Sequence, residues 1–300
     1  MVASGHLVEW LRPRVESGIE VKTSGTWLSE AYQEAVGRAV PRKSVAGMKS
    51  IDWQAVIRGI EATHPMTGKQ VLVDEAQDVP HRLLGAMKHY ARNVLAFADP
   101  FQRHADEGST LEQIVEAVKD EHQPWPVFVL EEDFRTTREI QQFAVAAWAP
   151  ARQSPSRPAP ARGPAPRLIR GGFDVAAAEA KRLLDGGHKT VVIASTHADR
   201  AAVVRSLQDA GVEYNLGQAT DVGKVSPLAF EALRGLEFDA VVLIPPNTRR
   251  HTWDRTAADL YVAATRARSV LTVVLTEEPF IELADSLERV SALLEPGANA

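Results

Sequence analysis

Cysteine is absent from the 300-residue sequence, and long apolar runs are absent as well. Without cysteine the chain cannot form disulfide frameworks, thiolate zinc sites or a cysteine nucleophile. No apolar run approaches the roughly 20 residues that a membrane-spanning helix requires, so no membrane contact is expected. The N-terminal stretch carries His6 and Glu9 and lacks the basic start and apolar core of a secretory signal, so we expect a cytoplasmic protein.

An excess of positive charge is also lacking, because 34 Lys and Arg residues stand against 39 Asp and Glu residues, for a net charge of −5. This balance has the wrong sign for a protein that coats nucleic acid by bulk charge, although it does not exclude a local basic groove. The hydrophobic share of 45% and the charged share of 24% are typical of globular proteins. They exclude a collagen-like fibre, a coiled coil and a chain disordered throughout.

One segment divides the chain. Residues 149–166 read APARQSPSRPAPARGPAP and show no hydrophobic periodicity, so we expect an extended linker there. This predicts a first domain over residues 1–148, a second domain over residues 167–290 and a tail over residues 291–300. On both sides of the linker, short apolar runs alternate with amphipathic helical patterns. That alternation predicts an α/β fold with parallel sheets.

The sharpest motif follows the apolar run Val71-Leu-Val and reads Asp74-Glu75-Ala-Gln77-Asp78. An apolar strand here delivers two carboxylates to its carboxyl end, where α/β proteins place their ligand crevice. One carboxylate can hold Mg²⁺, which prefers oxygen ligands and keeps several of its waters. The other can orient or deprotonate an attacking water. For an Asp-Glu pair taken alone, a solvated acidic loop is the alternative interpretation.

The string DEAQD at positions 74–78 resembles the Walker B motif (motif II) of the UvrD/Rep-like superfamily 1 DNA helicases. Four later segments resemble the remaining motifs in the family's order. They are FADPFQ at 97–102 (motif III), LEEDFR at 130–135 (motif IV), LRGLEFD at 233–239 (motif V) and LYVAATRA at 260–267 (motif VI). The resemblance extends over nearly the whole chain, from about Asp52 to Leu275.

The resemblance implies two RecA-like P-loop-NTPase-type domains, ATP and Mg²⁺ as cofactors and single-stranded DNA as a partner. It assigns Asp74 as the Mg²⁺ ligand and Glu75 as the catalytic base. The other implied contacts with the nucleotide are Gln77, Asp99, Gln102, Arg135, Gly235, Glu237 and Arg266. Among these, Gln102, Arg135 and Arg266 correspond to γ-phosphate sensors or arginine fingers, and Gly235 and Glu237 to nucleotide-sugar contacts. Taken singly, each arginine could form a surface salt bridge, Gln102 could be a polar loop residue and Gly235 a turn.

The phosphate-binding loop of the family, G-x-x-x-x-G-K-[ST], does not occur in the sequence. The nearest string, Thr67-Gly68-Lys69-Gln70, has Thr63 at the first glycine position and runs directly into a predicted strand. A second string, GGHKT at 186–190, also leads into a predicted strand, so we predict turns at both places. We therefore expect a first domain truncated at its N-terminus, with the ATP-binding segment lost or supplied by a partner protein.

Three functional interpretations remain open at this stage. The first is an ATP-dependent DNA helicase or translocase core that is expected to be unable to hydrolyse ATP alone, because the phosphate-binding loop is absent. The second is a non-catalytic helicase-like module that binds DNA or protein with a partner chain, and the third is a truncated product. Where the family has DNA-contacting Thr and His in motif V, this chain has Ala229 and Glu231, and Glu231 would repel a phosphate backbone. A truncation predicts an exposed apolar face on the first sheet, whereas a genuine non-catalytic module predicts a covered one.

Overall fold

A computed structural model describes Val8 and residues 11–45, 48–63, 68–99, 108–119, 127–130, 132–148, 159–216, 223–233, 236–247 and 252–290. The chain divides into two compact units, Met1–Phe128 and Val129–Ala300, which are taken separately below. Among the residues that the structure describes, no helix combines the length and apolar character needed to cross a membrane.

The first unit mixes helices with two small sheets. Its elements are α1 (Ser24–Val36), β1 (Arg42–Val45), β2 (Met48–Ile51), α2 (Trp53–Thr63), β3 (Gln70–Val73), α3 (His81–Tyr90), β4 (Asn93–Ala96) and α4 (Leu111–Val118). Strands β1 and β2 form an antiparallel pair, and β3 and β4 form a parallel pair. A capping box between Thr110 and Gln113 begins α4, in which each side chain bonds the other residue's backbone N–H.

Among the described residues of the first unit, helices pack on one face of the β3–β4 sheet. Val71 and Val73 are buried with residues of α1, α2 and α3, in a core that includes Leu28, Ile60 and Leu84. The alternation of a strand sends Leu72 to the other face, and its register partner there is Leu95. Leu72, Leu95 and the following Phe97 are 53%, 51% and 51% exposed. We call these three residues the open face.

The second unit is built on a five-stranded parallel sheet of order β5-β9-β8-β6-β7. Its elements are α5 (Arg138–Trp148), β5 (Arg167–Arg170), α6 (Phe173–Asp185), β6 (Thr190–Ala194), α7 (His197–Asp209), β7 (Ser226–Ala229), β8 (Phe238–Ile244), α8 (Trp253–Ala264), β9 (Ala267–Leu275) and α9 (Ile281–Glu288). The α/β class with parallel sheets, expected from the sequence, is confirmed.

Helices cover both faces of this sheet, and the sequence of the central strands shows why. Val191 and Ile193 pack in one core with α5, α8 and α9, whereas Val192 packs in the other core with α6 and α7. A strand buried on both faces needs a continuous apolar run rather than alternation. The run TVVIA of β6 meets that need, since all five of its residues are buried.

Helix α5 belongs to the second unit, although residues 1–148 were expected to form the first domain. Its residues Phe143 and Trp148 are buried in the core on one face of the five-stranded sheet. The end of the proline-rich segment packs against the same helix: Ala159 N–H donates to Gln141 Oε1 at 3.0 Å, and Gly163 N–H donates to Glu139 Oε2 at 2.8 Å. Residues 149–158 of the expected linker lie outside the described residues.

A buried carboxylate ties β5, α6 and β9 together. Glu179 accepts hydrogen bonds from Arg167 at 2.7 Å, from Arg182 at 2.8 Å and from the Thr272 hydroxyl at 2.9 Å. The hydrogen bonds from Arg182 lower the pKa of Glu179, while its burial acts in the opposite direction. The buried charge of Glu179 is tolerated because its carboxylate is paired with two guanidinium groups and also accepts a hydrogen bond from a hydroxyl.

Candidate functional site

The two adjacent carboxylates follow directly after β3, as the sequence predicts. Asp74 is exposed, and its Oδ1 accepts a hydrogen bond from the Glu75 N–H at 3.0 Å. Glu75 has φ 53° and ψ 46°, and in the described residues no other non-glycine residue has a positive φ. A left-handed backbone is unfavourable for a residue with a Cβ, by about 1 kcal/mol or more, and such strain concentrates at functional sites.

Gln77 joins the acidic motif to the end of β4. Its side chain is only 1% exposed. The amide Nε2 donates to Glu75 Oε2 at 2.5 Å, and the amide Oε1 accepts from the Asp99 N–H at 3.0 Å. The structure thus brings together Glu75, Gln77 and Asp99, three residues that the resemblance implies for one site.

Two backbone hydrogen bonds also connect the turn Ala76–Asp78 to the end of β4 and to residue 109. The Ala76 N–H donates to Phe97 O at 2.8 Å, and the Ser109 N–H donates to Gln77 O at 2.8 Å. The Ser109 hydroxyl also donates to Val79 O at 2.5 Å. Sequence reasoning did not identify Ser109, since nothing in its local pattern distinguishes it from an ordinary loop serine. Gln102 lies outside the described residues.

In the second unit, Arg135 and Glu237 form an ion pair. Arg135 Nε lies 2.7 Å from Glu237 Oε1, with side chains 41% and 39% exposed. The resemblance assigns the first residue to motif IV and the second to motif V. Asp133 Oδ1 accepts hydrogen bonds from the backbone N–H groups of Arg135 at 2.7 Å and Thr136 at 3.4 Å. This turn fixes the backbone that carries Arg135. In the sequence, the turn could have been predicted from Asp133, because aspartate side chains commonly accept hydrogen bonds from the backbone two residues further on.

Arg266 lies at the end of the α8 segment, immediately before β9, and is only 2% exposed. Its Nε donates to Val262 O at 3.1 Å, and its own carbonyl accepts from the Phe238 N–H at 3.0 Å. That second bond places the Arg266 backbone beside the residue that follows Glu237. Residues from motifs IV, V and VI therefore meet where β8 and β9 begin. Gly235 lies outside the described residues.

The two glycine-lysine strings have structural roles. Lys69, before β3, contacts the Glu34 carboxylate at 2.9 Å and the Tyr90 hydroxyl at 3.3 Å, and it lies at the opposite end of that strand from Asp74. Hydrogen bonds with Glu34 and Tyr90 raise the pKa of Lys69. The N–H groups of Gly186, Gly187 and His188 donate to carbonyls of the last turn of α6, at 2.9–3.1 Å. These N–H groups cap a helix and form no phosphate cradle.

The donor set fits a magnesium–nucleotide complex better than a free metal ion. The described residues contain no group of three or more His, Asp or Glu side chains that could hold a metal. Mg²⁺ bound with nucleotides needs only one or two protein carboxylates, because phosphates and waters complete its shell. The exposed carboxylate of Asp74 meets that requirement.

Comparison with known proteins finds similar solved structures, whereas no protein-family model and no curated protein matches the chain. One is the C-terminal domain of a possible DNA helicase from Lactobacillus plantarum WCFS1, with 22% identity, a TM-score of 0.43 and coverage of 53% of this chain and 96% of that domain. The others are the PRRSV helicase, with 16% identity and a TM-score of 0.39, and the Arterivirus nonstructural protein 10 helicase, with 15% identity and a TM-score of 0.40.

The match covers 69% of this chain with the PRRSV helicase and 73% with the Arterivirus helicase. It spans 34% and 41% of those two proteins' own lengths. All three proteins are named as helicases.

Proposed function

We propose that this chain is a UvrD/Rep-like helicase-type module that couples the binding of Mg²⁺ and ATP to the binding of single-stranded DNA. The observation that carries the proposal is the 2.7 Å contact between Arg135 and Glu237. These residues come from two motifs far apart in the sequence, and the resemblance implies that both touch the same nucleotide. Their contact is what a shared site requires.

Each group has a role that its chemistry permits. Asp74 would hold Mg²⁺, which when bound neutralises charge on the phosphates. Glu75 would orient a water and accept its proton, and Arg135 would neutralise charge on the transferred phosphoryl group. Glu237 would accept a hydrogen bond from a sugar hydroxyl. Gln102, Gly235 and Arg266 remain proposed contacts, and Arg266 would have to exchange the Val262 carbonyl for a phosphate oxygen.

Nucleotide binding would replace the Arg135–Glu237 ion pair, because each group is occupied by the other in the free protein. A half-exposed ion pair contributes only about 0–1 kcal/mol, so a phosphate and a hydroxyl can displace it at small cost. The free chain would then keep both side chains near their working positions without a nucleotide.

The decisive experiment measures ATP turnover and binding of a fluorescent ATP analogue, with and without single-stranded DNA. We expect saturable Mg²⁺-dependent binding and DNA-stimulated turnover. Glu75→Gln should abolish the turnover and retain the binding. Absence of both binding and turnover in the wild-type chain would contradict the proposal.

A second candidate is a non-catalytic helicase-like module that works with a partner protein supplying the phosphate-binding segment. It is supported by the engagement of Lys69 and of the Gly187 turn in structural contacts. The two candidates differ in one measurable respect. If the first is correct, Mg²⁺–ATP should change the affinity for single-stranded DNA. If the second is correct, the isolated chain should bind DNA equally with and without Mg²⁺–ATP.

A further inference from the structure

We infer that Gln77 is a positioning residue, which holds the Glu75 carboxylate at a fixed place relative to Asp99 and does not itself touch the nucleotide. The inference rests on the proposed function for its catalytic meaning, since it names the residue that orients the proposed base. Its geometry can be tested without any turnover.

The chemistry of its two partners fixes the orientation of the Gln77 amide. An ionised Glu75 carboxylate can only accept, so it must face the amide NH₂ group. The Asp99 backbone N–H can only donate, so it must face the amide oxygen. Distances of 2.5 Å and 3.0 Å agree with this one orientation. Glutamine suits the position because its side chain donates from one atom and accepts at another.

Burial makes this bridge strong and removes Gln77 from direct contact with a ligand in solvent. At 1% exposure the Gln77 amide is shielded from water, so loss of either hydrogen bond leaves one of its own polar atoms buried and unsatisfied. With one amide atom on Glu75 and the other on Asp99, the side chain is committed at both ends.

The need for such a bridge follows from the position of Glu75. Its left-handed backbone starts the turn Ala76–Asp78, but the side chain has several rotatable bonds beyond that point. A general base must stay within hydrogen-bond reach of the proton it accepts. The Gln77 amide restricts the Glu75 side-chain rotamers and connects the carboxylate to Asp99, beyond the end of β4. The Ser109 N–H on Gln77 O extends the link to residue 109.

Two substitutions at position 77 separate the two ends of the bridge. Gln77→Leu removes both hydrogen bonds, so exchange of the Asp99 amide should accelerate about tenfold or more and the Glu75 carboxyl ¹³C resonance should move. Gln77→Glu keeps an acceptor for the Asp99 N–H but repels Glu75, so exchange should stay slow while the carboxyl resonance moves. Gln113→Glu is the matched control, since it alters another glutamine that accepts a backbone N–H, and it should change neither signal.

If Gln77 only filled space in the core, a substitution of Glu75 would not change the exchange rate of the Asp99 amide. We expect Glu75→Ala to accelerate exchange of the Asp99 amide severalfold, because the Gln77 amide contacts both residues. Unchanged Asp99 exchange in a folded Gln77→Leu or Glu75→Ala variant would overturn the inference.

Turnover measurements distinguish this inference from the proposed function. If the chain hydrolyses ATP, Gln77→Leu should lower kcat at least tenfold and leave KM within about twofold, because Gln77 positions the base and does not bind the nucleotide. An equal loss through KM would overturn the positioning role. If the wild-type chain neither binds nor hydrolyses ATP, the proposed function fails, and the amide-exchange results still decide the bridge.

Discussion

The candidate residues of the two units occupy opposite ends of their strands. In the first unit, Asp74 and Asp99 follow the carboxyl ends of β3 and β4, where α/β sheets usually bind ligands. In the second unit, Glu237 and Arg266 precede β8 and β9 at their amino ends. The general rule for ligand crevices therefore locates the first group and misses the second.

The two groups also differ in how they are held. A buried neutral amide with two committed hydrogen bonds fixes Glu75, whereas a half-exposed ion pair holds Arg135. The first arrangement is rigid and the second can exchange partners. The acidic group thus fits a positioned base, and the basic group fits a side chain that moves from one anion to another.

The largest effect expected from this comparison is on catalysis. Arg135→Ala should lower DNA-stimulated ATP turnover by about 10³-fold, because it removes the cation that would neutralise the transferred phosphoryl group. Steady-state ATP turnover measures this. Arg170→Ala, in the exposed pair with Glu278, is the control and should leave turnover unchanged. A loss below tenfold for Arg135→Ala would remove this residue from the proposed site.

The second effect concerns stability. Gln77→Leu should lower the free energy of unfolding of the first unit by about 1–3 kcal/mol, because it removes both hydrogen bonds of the buried Gln77 amide, from the Asp99 N–H and to the Glu75 carboxylate. Glu237→Gln should change the second unit by less than about 1 kcal/mol. Denaturant titration followed by tryptophan fluorescence tests both. Equal losses for the two variants would contradict the contrast between a rigid link and an exchangeable one.

A third effect is the pH dependence of the second unit, which contains a rigid charged contact of its own at Glu179. Its folded-state pKa is lowered from 4.5, chiefly by Arg182, so its stabilising contribution is complete above that value and is lost as the pH falls through the folded pKa. We expect Glu179→Gln to be less stable than wild type at neutral pH by about 1–2 kcal/mol and to converge with it in acid. Thermal unfolding between pH 7 and roughly pH 3 measures the difference, and parallel curves would disprove it.

The smallest effect concerns the exchange of the ion pair. Glu237→Gln frees Arg135, so its affinity for inorganic tripolyphosphate should rise about two- to fivefold at low salt. Increasing the ionic strength should reduce that gain, because salt weakens the Arg135–Glu237 ion pair in the wild-type chain as well. Calorimetric titration can detect it, with Glu278→Gln as a matched exposed carboxylate. A gain of similar size in the control would mean that net charge alone is responsible.

The sequence predicted the central elements well because their patterns are local. The apolar runs of β3 and β6 and the amphipathic pattern of α2 appear at the expected places. The hairpin β1–β2 escaped prediction, since RKSV and MKSI carry little apolar alternation. Strand β7 contains Pro227, which is accommodated because this strand lies at the edge of the sheet.

Two further expectations failed for physical reasons. The pattern before and into residues 130–134 predicts the end of a strand, but the described residues 127–130 lie in no strand, and all four are exposed. Local pattern gives apolar character but not a pairing partner. The apolar pattern predicts a helix over Leu260–Ala267 and a strand over Val270–Leu275, whereas α8 spans Trp253–Ala264 and β9 spans Ala267–Leu275.

For the candidate site, the sequence identified residues but not their contacts. The order of the motifs pointed to Glu75, Gln77, Asp99, Arg135 and Glu237. That Gln77 is buried between two of them, or that Arg135 pairs with Glu237, depends on side chains from distant segments. Such contacts are set by the packing of whole elements, which no local pattern encodes.

Glu75 has a left-handed backbone, which costs conformational energy, at the residue that we propose as the catalytic base. Glycine would adopt φ 53° without the clash that a Cβ introduces, so Glu75→Gly should unfold at higher denaturant than Glu75→Ala. The difference between those two variants measures the conformational penalty that the acid carries. Position 75 therefore combines a strained backbone with the carboxylate on which the proposed reaction depends.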